Sequence, residues 1–125
     1  VSFDPDAVHE RLRELCLALP QVTERISHGA PTFFVRDKKV LCAYRPDGIH
    51  GDHGMTIWAP APQGVQDQLV DDEPDRFYRP PYVGGKGWIG VRLDRDVDWD
   101  EISSIIRDSY RLVAPASLAR QLDAP

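Results

Sequence analysis

The chain has 125 residues, 42% hydrophobic and 28% charged, a balance that suits one globular domain over residues 1–125 and excludes a disordered or low-complexity protein. Its formal net charge of −5 gives no overall attraction to nucleic acid. No apolar run approaches the roughly twenty residues of a membrane helix, and Cys16 and Cys42 are too few for a disulfide scaffold, so a cytoplasmic protein without membrane association is expected.

Asp4 stands where an N-cap would, and Pro5 at the first helical position, where a missing backbone donor costs nothing. Val8, Leu12, Leu15, Cys16 and Leu19 recur every three or four residues, which predicts a helix with one apolar stripe, ended by Leu19-Pro20, with His9 solvated. Residues 21–31 read as a connector in which Gly29 and Pro31 turn the chain into a strand, Thr32-Phe33-Phe34-Val35. Arg36-Asp37-Lys38-Lys39 is a hairpin turn into Val40-Leu41-Cys42-Ala43-Tyr44, and a polar loop precedes a third strand, Met55-Thr56-Ile57-Trp58. Connections this short leave no room for a crossover helix, so an antiparallel meander is expected.

Residues 64–70 predict a short helix with Val65 and Leu69 inward, and Phe77-Tyr78 a short strand. Pro80-Pro81 then fixes two φ values and removes two donors, while Gly84, Gly85 and Gly87 allow backbone angles or approaches that a side chain prevents. Over 88–93, alternation places Ile89, Val91 and Leu93 on an apolar face and Trp88, Gly90 and Arg92 on the other. Asp98 followed by Glu101 matches a capping box, opening a helix that carries Ile102, Ile105, Ile106 and Tyr110 toward the sheet; Pro115 opens a last short helix. The class is α+β, a two-layer α/β sandwich with an antiparallel sheet packed against helices.

Chemistry-bearing motifs are sparse. His50-Gly51-Asp52-His53 has two imidazoles and a carboxylate but no spacing that preforms a metal site, and reads as an exposed polar loop. Gly84-Gly85-Lys86-Gly87 looks like a phosphate loop but precedes a strand, not a helix N-terminus. His28, beside Ser27 at a turn, has no oriented carboxylate or nucleophile that spacing identifies. No catalytic residue, metal or cofactor is assigned. Cys16 and Cys42 read as small buried hydrophobes, and Trp58 as completing the core between sheet and helices. One candidate surface remains, with Arg79, Lys86 and Arg92 as anion contacts, Tyr82 and Trp88 as stacking platforms, and His28 at an adjoining turn.

One combination of motifs spans nearly the whole chain. It comprises Leu19-Pro20, Ser27-His28-Gly29-Ala30-Pro31-Thr32-Phe33, Trp58 with Ala61-Pro62-Gln63-Gly64, Arg76-Phe77-Tyr78, and Pro80-Pro81-Tyr82-Val83-Gly84. It continues through Gly87-Trp88-Ile89-Gly90-Val91-Arg92-Leu93, Asp98-Trp99 and Tyr110-Arg111-Leu112-Val113-Ala114-Pro115. In these residues the chain resembles the MmcQ/YjbR-like family of small bacterial proteins. The resemblance implies a two-layer fold similar to the CyaY-like or secretion-chaperone-like arrangement. It implies no established reaction, and a DNA-binding role suggested by a double-wing likeness. Family members often carry a basic residue after the tryptophan that Trp58 matches; this chain has Ala59.

The resulting expectation is a non-catalytic binding domain, a monomer, with DNA as partner. The alternative is a small-molecule-binding protein or enzyme with its site near His28 and Tyr82. A deep pocket lined by those two residues and a carboxylate would favour the alternative, and a convex basic surface the first reading.

Overall fold

The computed structural model describes residues 3–48 and 54–123. Helix α1 spans Pro5–Leu17, and the Asp4 side chain caps it by accepting from the Asp6 amide. Six strands follow, interleaved with helices: β1 Val22–Ser27, β2 Ala30–Val35, β3 Lys39–Arg45, β4 Thr56–Ala59, β5 Phe77–Tyr78 and β6 Ile89–Arg92. Helix α2, Val65–Asp72, lies between β4 and β5; α3, Trp99–Val113, and α4, Ala116–Asp123, close the chain. The sheet is antiparallel throughout with order β1-β2-β3-β4-β6-β5, the α+β architecture expected. Among the described residues no helix is long and apolar enough to cross a membrane.

β1 corrects the connector expected over 21–31. Its alternation is masked because Glu24 occupies a core-side position, opposite Phe33 of β2. Glu24 is tied to α1 by His9 Nε2 at 2.6 Å and Arg13 Nε at 2.7 Å, so His9 is paired and not simply solvated. Burial alone would raise the Glu24 carboxyl, but the hydrogen bonds from Arg13 and His9 outweigh it and hold the group below its ordinary value. An inward-facing charge on an edge strand also discourages pairing with another chain. The turn to β2 is the two-residue His28–Gly29, with φ of 51° and 77°, the double positive-φ geometry that matches a hairpin's twist.

Helices α1 and α3 cover one face of the sheet. Leu12, Cys16, Phe33, Leu41, Ile57, Val91, Ile102 and Ile106 are all buried there. Each such side chain contributes roughly 1.5–3 kcal/mol by leaving water. A bulge between Phe33 and Phe34 lets Phe33 pair with Cys42 while Phe34 pairs with Val40. Leu41 and Cys42 therefore both enter the core, and Ser109 of α3 donates to the Leu41 carbonyl at 2.8 Å where the ladder is disturbed. Cys16 and Cys42 are free, buried and 3.8 Å apart; their mutual hydrogen bond and then burial push the Cys16 thiol well up.

The second strong cap also holds, with a change of partner. Asp98 Oδ1 accepts from the Asp100 amide at 2.9 Å, but the Glu101 carboxylate, expected to return to Asp98, is engaged by Arg76. Arg76 also pairs with Glu73 at 2.7 Å, joining the end of α2 to the start of α3. Ile89 and Val91 of β6, and Leu93 just past its end, are each 1% exposed, as alternation requires.

Candidate functional site

Opposite the helices, the other face of the sheet carries a cleft of about 720 Å³. Its floor is strand residues. Val40 and Ala43 reach it because the bulge restores their common side, and Ala43 lies opposite Trp58, which lies opposite Gly90. Arg45 flanks them at the end of β3. One rim is the β1–β2 turn with Ser27 and His28; the other is the β5–β6 connection with Tyr82, Val83, Lys86 and Trp88.

Trp58 is fixed by a directional hydrogen-bond chain. Its Nε1–H donates to Tyr78 Oη at 2.8 Å, Tyr78 shares a 2.8 Å bond with Thr56 Oγ1, and Thr56 donates to the Val91 carbonyl at 2.8 Å. Burial raises the Tyr78 phenol, against the lowering effect of its Thr56 and Trp58 bonds, so it keeps the proton it donates to Thr56 while its oxygen accepts from Trp58. Gly90 makes this possible: a Cβ there would stand 2.3–2.5 Å from the Tyr78 ring, which lies directly on the strand. Trp58 is 4% exposed, but it belongs to the cleft face and not to the core between sheet and helices, which corrects the sequence expectation.

The rim connection is held from α2. Gln66 Nε2 donates to the Gly84 carbonyl at 2.8 Å and the Trp88 carbonyl at 2.6 Å, clamping both ends of the Gly84–Lys86 3-10 turn. Just before it, the Val83 amide bonds the Pro81 carbonyl at 2.7 Å around Tyr82, whose φ is 68°. This is a γ-turn of the positive-φ kind, unfavourable for a residue with a Cβ. Tyr82 is 81% exposed, so no burial of its ring compensates the strain.

The structure thus gathers His28, Tyr82, Lys86 and Trp88 about one cleft. Arg79 and Arg92 do not line it. Arg79 pairs with Asp67 at 2.7 Å, while Arg92 lies 5.0 Å over the Tyr78 ring and donates to the Pro74 carbonyl at 2.8 Å. Arg45 and Gln66 were missed by sequence reasoning. Arg45 had only its position beside β3 to mark it, and Gln66 had no signal, since its role depends on two carbonyls distant in sequence. Arg45 lies 4.4 Å over the Trp58 ring, and its Nε is buried without a hydrogen-bond partner among the described residues. Among those residues no group of three or more His, Cys, Asp or Glu side chains could hold a metal; the His50-Gly51-Asp52-His53 loop lies outside them.

Architecture and cleft define an α+β domain whose helix-free sheet face carries a concave, aromatic and cationic site. The chain belongs to the YjbR family, whose model matches residues 17–112. The crystal structure of Deinococcus radiodurans protein DR2400, a DUF419 domain, is similar in fold, with a TM-score of 0.69 at 18% identity over 94% of this chain and 88% of that one. No curated protein matches the chain.

Proposed function

We propose that this YjbR-family chain is a non-catalytic binding domain that takes a small molecule in the cleft between the His28 turn and the 79–88 connection. The observation that carries this reading is the cleft itself: about 720 Å³, within the range of small-molecule sites, with an apolar floor and a few convergent polar groups. The described residues lining it include no carboxylate to pair with His28, so binding is favoured over acid–base catalysis.

DNA binding is the competing reading, and the exposed Tyr82 and Lys86 speak for it. Against it, the surrounding basic groups are largely neutralised at short range, Arg79 by Asp67, Arg76 by Glu73 and Glu101, and Arg95 by Asp94. A phosphate backbone would have to break these pairs while approaching a chain of net charge −5.

The test has two arms. A small-molecule library screened by NMR against the 15N-labelled chain should yield ligands that shift His28, Ala43 and Lys86 amides together. Anisotropy titrations with short duplex and single-stranded DNA at two salt concentrations should show no micromolar binding. Salt-sensitive DNA binding abolished at Lys86, with no small molecule perturbing the cleft, would reverse the assignment.

A further inference from the structure

We propose that the ligand of this cleft is a flat unsaturated ring bearing an oxyanion, a carboxylate or a phosphate, with the anion at Arg45 and the ring against Trp88, over the floor that Trp58 closes. The inference rests on the cleft reading above and adds the ligand's chemical class. Its starting point is the contrast between Arg45 and those arginines near the sheet that hold a carboxylate. Arg25, Arg76, Arg79 and Arg95 each hold a carboxylate, at Asp37, Glu73, Asp67 and Asp94. Arg45 has its guanidinium on the Trp58 ring and a buried Nε lacking any partner among the described residues. The buried Nε anchors the group and costs folding free energy, while the half-buried guanidinium, pre-oriented on an aromatic face, is arranged to receive a planar oxyanion at its terminal nitrogens through two parallel bonds.

Charge and shape extend the argument. Lys86 and His28 stand at the rims and no carboxylate is among the described lining residues, so the cleft is locally cationic on an acidic protein. That field selects anions and draws them inward. An inorganic anion alone would leave most of about 720 Å³ unfilled. Much of the remaining surface is aromatic and aliphatic, from Val40, Ala43, Trp58, Tyr82, Val83 and Trp88, with the Trp58 indole held by Tyr78 and the Trp88 backbone held through its carbonyl by Gln66. Flat aromatic side chains at the cleft favour a ring that stacks or packs edge-on over a flexible chain.

Three probes sharing one ring test this: 1-naphthoate, 1-naphthyl phosphate and neutral 1-naphthalenemethanol. Each is titrated into the 15N-labelled chain while the indole signals of Trp58 and Trp88 and the Arg45 Nε–H signal are followed. At least one anionic probe should move all three signals and bind about tenfold or more tightly than the neutral one, the gain expected of a charge-assisted bidentate contact. The ratio of naphthoate to naphthyl phosphate affinity identifies the oxyanion. Arg45→Met should reduce the anions to the affinity of the neutral probe, and Arg45→Gln, which keeps a polar stem, provides the same comparison should the Met variant fail to give a folded spectrum. Equal binding of neutral and anionic probes, or an anion preference that survives both substitutions, would overturn the ligand class while leaving the cleft reading intact. Failure of all three probes to shift any cleft signal would overturn this inference; the library screen then decides the cleft reading by itself.

Discussion

Gly90→Ala isolates the arrangement that fixes the cleft floor. The added Cβ would lie 2.3 Å from Cζ of Tyr78 and 2.5 Å from both of its Cε atoms, so the ring must move by about an ångström to regain van der Waals contact. Tyr78 is 7% exposed, and its displacement costs roughly 1–3 kcal/mol as overpacking. Moving Oη also leaves the buried Trp58 Nε1–H without its acceptor, roughly another 1–3 kcal/mol. Alanine recovers about 0.5–1 kcal/mol over glycine in a strand, so the net loss should be about 1–5.5 kcal/mol. Urea unfolding followed by tryptophan fluorescence measures it, and the same substitution in a Tyr78→Leu background supplies the control. Without the phenol ring there is nothing to displace, and Gly90→Ala should be neutral or stabilising by about 0.5–1 kcal/mol. An equal loss in both backgrounds, or a loss below about 0.5 kcal/mol in the parent, would refute the proposed role of the ring.

Gln66→Ala removes both hydrogen bonds that clamp the rim; stability should fall by about 1–2 kcal/mol, whereas tryptic cleavage after Lys86 should accelerate several-fold, read by mass spectrometry. Tyr82→Gly relieves a positive-φ γ-turn at the expense of a more flexible unfolded chain, so the unfolding free energy from urea titration should stay level or rise by up to about 1 kcal/mol while probe binding in the cleft weakens. The Glu24 carboxyl is lowered in the folded state, so its contribution is complete above the ordinary value of 4.5 and is lost as pH falls through the folded value. Acid unfolding of Glu24→Gln should therefore be less steep than the parent's below about pH 4.5, and parallel curves would show that the His9 and Arg13 contacts carry no such linkage.

Local chemistry made much of the fold legible. The Asp4-Pro5 start, the alternation over 88–93 and the Asp98 cap each depend on neighbours within a few residues, and each holds. β1 was hidden because its inward charge is satisfied by α1, a contact that no strand-period pattern anticipates. The bulge shifts β3 out of simple phase, so the side taken by Val40, Ala43 and Arg45 could not be obtained by counting in twos. For Trp58 the signal was present: it neighbours Ile57, which is in the core, and so must face the other way. The cleft required knowledge of strand order, since only the placement of β6 beside β4 brings the 79–88 connection over the floor laid by β3 and β4.

That strand order has a kinetic consequence. β1, β2 and β3 join through short turns and can close early, whereas β6 must travel from far along the chain to pair with β4. The cleft draws His28 and Arg45 from the early-closing part and Lys86 and Trp88 from the late arrival, so it comes into being only when that final pairing is made. An occupant would then bridge two segments that separate first on unfolding. It would prolong the lifetime of the native state without hastening its formation.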